Sequence, residues 1–256
     1  MNDRLKNKAI LVVGAGTGIG AATVRRLAAE GARVAVADIN LPAAEAVAAD
    51  LVRQGAQAFS VPVDVADEAS VQAAVAAAVD RFGRLDGTHV NAADMRVIYR
   101  DSDALAGELA AFDRTIAVNL RGHLLCTRAV LPHMLQSGGG AIVYTSSGAS
   151  VAGEPARPAY AVAKGGLEAL MRHVAARWGR AGITANCVAP GLTITPEMEA
   201  SGAFPKELIE QMLGSTPHRR LGRVEDIAGV VALLLSDDGR WVNGQVWHVN
   251  GGILMR

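Results

Sequence analysis

Tyr160 and Lys164 are the two residues whose types and spacing point most directly to chemistry. Four apart on a helix, they share a face. A free phenol titrates near about pH 10, and a neighbouring ammonium is expected to pull that value down. A tyrosine tuned toward the working pH is a general base, taking the proton of an alcohol and returning it in the reverse direction. Lys164 can also hold a ribose. A lone pair of this kind equally describes two side chains lying along a helix surface, so the neighbours decide. Ser147 ends the apolar run Ile142-Val143-Tyr144-Thr145, thirteen residues before Tyr160. A hydroxyl at a strand end can hold a substrate oxygen. Asn119 interrupts the apolar run Ile116 to Leu120. A buried amide is costly unless paired. Asn119 therefore reads either as a satisfied structural amide or as the holder of a water relay behind Lys164.

The second constellation is Gly14-Ala15-Gly16-Thr17-Gly18-Ile19-Gly20, directly after the apolar run Ala9 to Val13. A strand-to-helix turn this tight needs residues that tolerate positive φ and lack a Cβ. The helix that follows points unpaired N–H groups and its positive dipole end at the turn, which suits a phosphate. Gly14, Thr17, Gly18, Ile19 and Gly20 are thus candidate dinucleotide contacts. A second apolar run, Arg33 to Ala37, ends in Asp38, 24 residues after Gly14. An acid at that spacing accepts hydrogen bonds from ribose hydroxyls and repels a 2′-phosphate. No Lys or Arg lies between Gly14 and Gly20, and Ile39 follows Asp38. The expected cofactor is NAD. Together the two constellations describe hydride transfer between a secondary alcohol or ketone and a nicotinamide.

These residues need a scaffold that alternates strand and helix. The pattern predicts strands at 8–13, 33–37, 57–62, 87–91, 141–146, 183–189 and 245–249. It predicts helices at 18–30, 41–54, 67–82, 110–136, 160–179 and 224–236. Several strands are continuous apolar runs, as in a parallel sheet covered on both faces. The expected fold is α/β: a single Rossmann-type, doubly wound parallel β-sheet with helices on both faces, in one domain over 1–256. Between Thr193 and Arg223 no strand is expected. Pro196 opens one or two short helices there, read as a lid over the substrate because the segment follows a strand's carboxyl end.

The chain has 256 residues, half of them hydrophobic, and no net charge. That balance offers no electrostatic footprint for nucleic acid or an anionic membrane. The N-terminus lacks a signal-peptide h-region and no apolar run reaches membrane-spanning length. Cys126 and Cys187 each lie inside an apolar element and read as core thiols, so the expected place is the cytoplasm. The six histidines show no metal-ligand spacing, and no metal is expected. Trp241 and Trp247 read as core or subunit-contact residues. Arg219, Arg220 and Arg223 read as a solvated face.

Taken together, the chain resembles the short-chain dehydrogenase/reductase family over nearly its whole length. The glycine motif is similar to the family's T-G-x-x-x-G-x-G, with Val13 in place of the threonine. Asp64-Val65 resembles the pair that holds the adenine. Asn91-Ala92-Ala93 resembles the N-N-A-G strand end, with Val90 replacing the first asparagine and Ala93 the glycine. Val13 and Val90 thereby remove side-chain hydrogen bonds that brace the turn and central strand in the family. Asn119, Ser147, Tyr160 and Lys164 match the catalytic tetrad. Pro190-Gly191 with Thr195 resembles the segment that meets the nicotinamide carboxamide, and the Thr193 backbone is placed to do the same.

The resemblance implies a nicotinamide-dependent enzyme acting on a small molecule. A 3-oxoacyl thioester reductase of the same family is the nearest alternative, although that role usually draws on NADPH and Asp38 opposes it. A nucleotide-sensing protein without turnover is the other, opposed by retention of all four catalytic side chains. Met95, Leu192, Met198, Phe204 and Met212 point to an apolar or cyclic substrate, while Glu154 and Arg157 leave room for a polar one. Apolar and small residues on more than one face of helices 110–136 and 160–179 point to an interface. The resemblance implies a four-helix contact and a homotetramer, with a dimer as the fallback.

Overall fold

The computed structural model describes residues 3–201 and 206–255. Three β-α units and a fourth strand open the chain in strict alternation: β1 (Ala9–Val13), α1 (Gly18–Ala29), β2 (Arg33–Asp38), α2 (Leu41–Arg53), β3 (Ala58–Pro62), α3 (Glu68–Phe82) and β4 (Gly87–Val90). Then come α4 (Leu109–Ile116), α5 (Gly122–Gln136), β5 (Gly140–Thr145), α6 (Pro158–Trp178) and β6 (Ile183–Pro190). The chain ends with β7 (Thr193–Ile194), α7 (Pro196–Ser201), α8 (Lys206–Gly214), β8 (Gly222–Arg223), α9 (Val224–Leu235) and β9 (Val246–Val249).

Seven strands form one parallel sheet in the order β3-β2-β1-β4-β5-β6-β9. The strand direction of chain progress reverses between β1 and β4, which opens a crevice at their carboxyl ends. Alternation along each strand divides the core. Leu11, Val13, Val90, Ile142 and Tyr144 face α3, α5 and α6. Ile10, Val12, Val34, Val36 and Val143 face α1, α2 and α9. Strands buried on both faces must be apolar throughout, which is why they read as unbroken runs. α6 is anchored by Leu167, Met171 and Val174, all fully buried. Truncating one such side chain to alanine costs about 2–5 kcal/mol.

Two elements differ from the sequence expectation. The run expected as one helix over 110–136 is interrupted by a π-turn over Ala117–Arg121 between α4 and α5. Periodicity does not register a single widened turn. The region expected to hold no strand has a minimal parallel pair, Thr193↔Gly222 and Ile194↔Arg223, at its two ends. Two-residue strands carry no alternating pattern, but this pair closes the neck of the insertion. Its two short helices follow expectation. Among residues read as lining it, Phe204 and the side chain of Met212 lie outside the described residues.

Candidate active site

All strands run the same way, so their carboxyl ends share one edge, and the residues singled out by sequence gather there. Gly14 follows β1 at φ 78°, and its N–H donates to the Ala37 carbonyl at 2.8 Å. A Cβ on Gly14 would lie 2.8 Å from the backbone of Ala92. A Cβ on Gly20 would lie 1.9 Å from the Gly14 carbonyl oxygen, so α1 can rest on the turn only with glycine there. Asn40 and Asp67 cap α2 and α3 with their side chains, whereas Thr17 makes no such bond at the start of α1. The first-turn N–H groups of α1 beside Ile19 are left for an anion.

Asp38 ends β2. Its Oδ2 accepts from Gly16 N at 2.8 Å and its Oδ1 from Asn40 N at 2.8 Å. Those two bonds fix the carboxylate at the lip of the turn, with lone pairs to spare for hydroxyl donors. Asp64, after β3, accepts from Ala66 N at 2.9 Å. Val65 is buried where α5 begins, and a Cβ on Gly122 would lie 2.9 Å from the Val65 carbonyl oxygen.

Asn91, just past β4, donates from Nδ2 to the Gly14 carbonyl at 2.9 Å. Its Oδ1 accepts from the Thr145 hydroxyl at 2.9 Å, and that hydroxyl meets His89 Nε2 at 2.8 Å. The Thr145 proton is committed to Asn91, so His89 donates from Nε2; its buried Nδ1 has no partner among the described residues. Burial pushes His89 down to about 3 and keeps it neutral. This buried chain supplies a brace where Val13 and Val90 supply none. The part of His89 in this brace carries no local signal in the sequence.

Asn119 sits in the π-turn, a feature that recurs at functional sites. Its Oδ1 accepts from Asp94 N at 3.0 Å, while its buried Nδ2 has no partner among the described residues. The oxygen is structural, as one reading had it; the nitrogen is open to a water, as the other requires. Asp94 also holds Arg96 and Arg114, at 2.7 and 2.9 Å. The Arg96 guanidinium, followed by Arg114, keeps its carboxyl well below the usual carboxylate range.

Ser147 lies two residues past the end of β5, and its Oγ accepts from Ala149 N at 3.2 Å. Tyr160 lies in the first turn of α6, which begins at Pro158. Lys164, fully buried, places Nζ 5.6 Å from the centre of the Tyr160 ring and donates to the Thr145 carbonyl at 2.7 Å. The titration differs from the sequence expectation. Burial pushes the Tyr160 phenol up, outweighing the hydrogen bond with Ser147 and the charge of Arg157, which both lower it. Burial also brings Lys164 down to about 8. Packing disfavours phenolate and ammonium alike, and spacing along a helix does not reveal packing.

One residue the sequence reading missed holds this helix. Asp101, in the loop after β4, accepts from Ala159 N at 3.1 Å and Tyr160 N at 2.9 Å. The remaining residues line the rim. β6 ends in Pro190, and Gly191 N donates to the Val249 carbonyl at 3.0 Å. Thr193 Oγ1 bonds back to the Gly191 carbonyl at 3.2 Å. Thr195 caps α7 by accepting from Met198 N at 3.2 Å, and its methyl lies 3.4 Å from a Cβ built on Gly18. The insertion therefore begins against the glycine turn. Glu154 and Arg157 pair at 2.5 Å close to Tyr160. Arg220 is engaged with Asp226 at 2.6 Å. Trp241 is 95% exposed, which removes it from the core.

The chain is similar to known proteins over nearly its whole length. A family model described as enoyl-(acyl carrier protein) reductase matches residues 14–254. Levodione reductase of Leifsonia aquatica is 37% identical, covering 97% of this chain and 95% of its own. A Bradyrhizobium diazoefficiens protein named "probable short-chain type dehydrogenase/reductase" is 41% identical over 98% of this chain and 89% of its own. A 3-oxoacyl-[acyl-carrier-protein] reductase of Staphylococcus aureus is 36% identical over 97% of this chain and 98% of its own. The crystal structure of levodione reductase superposes with a TM-score of 0.90, covering 96% of this chain and 97% of that one.

Proposed function

The chain belongs to the short-chain dehydrogenase/reductase family, and from that premise we propose that it interconverts a secondary alcohol and a ketone with NAD. The family uses a nicotinamide cofactor, NAD or NADP. The observation that carries the reading is the meeting of Ser147, Tyr160 and Lys164: Ser147 is near enough to lower the titration of the phenol, and the Lys164 ammonium lies 5.6 Å from its ring.

The residues present suit a dinucleotide. The uncapped start of α1 at Thr17, Gly18, Ile19 and Gly20 takes the pyrophosphate, and Gly14 lets the turn close. Asp38 takes the adenosine ribose hydroxyls and disfavours a 2′-phosphate. Asp64, Val65 and Asn91 border the adenosine half. Pro190, Gly191, Thr193 and Thr195 border the nicotinamide half, and Lys164 holds its ribose. When bound, the nicotinamide supplies or accepts the hydride.

The protein's own part is to hold and move a proton. Ser147 holds the substrate oxygen, and Tyr160 Oη takes the alcohol proton or gives it to the ketone oxygen. Lys164 stabilises the phenolate that forms. Asn119 Nδ2 keeps the water through which that proton is exchanged. Residues 193–223 act as a lid within a single domain, supported by the β7–β8 neck and by Thr195 against the glycine turn. Met95, Leu192 and Met198 give the pocket an apolar wall, and the Glu154–Arg157 pair a polar one. A panel of secondary alcohols and ketones, 3-oxoacyl thioesters included, assayed with NAD and NADP by nicotinamide absorbance, tests the reading. Preference for thioesters with NADPH would move it to the alternative that the Staphylococcus aureus relative represents.

No helix among the described residues is long and apolar enough to cross a membrane. Buried free thiols at Cys126 and Cys187 support a reducing cytoplasm. Leu125, Leu131, Leu167, Met171 and Val174 are spent on the core, but Leu109, Phe112, Leu124 and Val162 stay exposed on α4, α5 and α6. That unpartnered apolar surface supports a homotetramer. Light scattering giving the mass of one chain would reject it.

A further inference from the structure

Glu168 lies on α6 one turn beyond Lys164 and carries no part in the chemistry described above. Its side chain is turned toward the end of β5, and the residue is only 5% exposed. Its Oε1 accepts from Ser146 Oγ at 2.7 Å and from Ser150 Oγ at 2.6 Å. These two serines flank the Ser147 turn, one at the strand end and one closing the short helical turn Gly148–Ser150. The Ser150 hydroxyl also lies 2.8 Å from the Ser147 carbonyl oxygen. One carboxylate oxygen therefore gathers both sides of the loop that presents Ser147.

A buried carboxylate is costly unless hydrogen bonds satisfy it. The residues around it on α6 show what packing alone selects: Leu167 and Met171 are apolar and fully buried. Two serine donors converging on one acceptor fix the turn in a way an apolar side chain does not, because both bonds are directional. Among the described residues, the Ser147 hydroxyl is otherwise steered by Ala149 N.

We propose that Glu168 is a positioning residue for proton transfer, holding Ser146 and Ser150 on one carboxylate oxygen so that the Ser147 hydroxyl stays against the Tyr160 phenol. The proposal rests on the reading of Ser147 as holder of the substrate oxygen. A misplaced catalytic group acts on the transition state more than on cofactor binding, so kcat and cofactor affinity separate.

The test compares E168A, E168Q and S147A, and the double variant E168A/S147A, in the full chain with the best alcohol of the panel. NADH binding is titrated by fluorescence in parallel. E168A is expected to lower kcat by about 100-fold, the size of effect a small misplacement produces, with NADH affinity unchanged. E168Q keeps a carbonyl oxygen that accepts both serines and is expected to stay within about threefold of the wild type. On the S147A background, E168A is expected to add no further loss. If E168A does not fold, S150A takes its place, with about a tenfold loss that likewise vanishes on S147A. Wild-type turnover by E168A, an equal loss with Ser147 present or replaced, or E168Q as slow as E168A would overturn the proposal. Wild-type turnover by S147A would instead overturn the reading of Ser147 on which it rests.

Discussion

The carboxylate of Asp101 accepts the backbone N–H of Tyr160 at 2.9 Å across 59 residues of sequence. A helix normally draws such an acceptor from its own N-cap residue. Here that residue is Arg157, held at φ 62° with no side-chain cap bond and its guanidinium on Glu154. Asp101 does the capping from the loop after β4, and its negative charge complements the helix dipole. Asp101→Ala removes a cap and strands two N–H groups, costing about 2–3 kcal/mol. The Tm should fall by about 5–10 °C, and kcat should fall with it because Tyr160 is in the freed turn. Asp101→Asn keeps one acceptor oxygen and should recover part of both. An unchanged Tm in the alanine variant would remove Asp101 from this role.

In the proposed reading Asp38 sets the choice of cofactor. Both of its oxygens are tied to backbone donors at 2.8 Å, so the carboxylate cannot swing away from a 2′-phosphate. NAD should be favoured over NADP by at least about tenfold in kcat/KM, the equivalent of about 1.4 kcal/mol. Asp38→Ala should weaken NAD and narrow the gap. Equal use of both cofactors by the wild type would show that Asp38 does not discriminate.

Tyr160→Phe keeps the ring and its packing but removes the transferable proton. General acid–base catalysis is typically worth about 10²–10⁴-fold, so kcat should drop by that range while NADH still binds. Lys164→Ala should impair turnover and cofactor binding together, since one side chain serves both. Full turnover by Tyr160→Phe would end the mechanism.

How much of this was legible in the sequence depended on range. Inner strands such as β1 showed because burial on both faces leaves unbroken apolar runs, as at Ile10 to Val13. The glycine turn, Asp38, Ser147, Tyr160 and Lys164 showed because each sits at a fixed offset from a strand end or within one helical turn. Asp101 and Glu168 did not show, because each acts on an element remote in sequence and no local pattern marks an acid that caps another segment's backbone. The His89–Thr145–Asn91 chain was hidden for the same reason: three strand residues become neighbours only after β4 and β5 pair. The direction of the Tyr160 shift was misjudged because the spacing to Lys164 is visible in sequence and the protein packed around the hydroxyl is not.

Two buried histidines make stability depend on pH in a defined direction. Burial holds His89 down at about 3, and burial followed by the charge of Lys164 holds His123 at about 3. In the unfolded chain both titrate near about 6.5. As pH falls from that value, the unfolded state takes up two protons that the folded state refuses, so stability falls. The loss is at most about 1.4 kcal/mol per pH unit for each histidine, or about 4 kcal/mol between pH 6.5 and 5. Asp94 adds nothing in that window: its depressed carboxyl contributes stability that persists above the unfolded carboxylate range and is lost only below it. At the alkaline end the sign is the same, because folded Lys164 releases its proton at about 8 while the unfolded lysine holds it to about 10.4. Urea unfolding at several pH values checks this. Replacing His123, whose ring lies 6.3 Å from that of Tyr144, by Phe should halve the acid slope. A wild-type stability that stays level from pH 7 to 5 would mean that the two rings accept protons in the folded state.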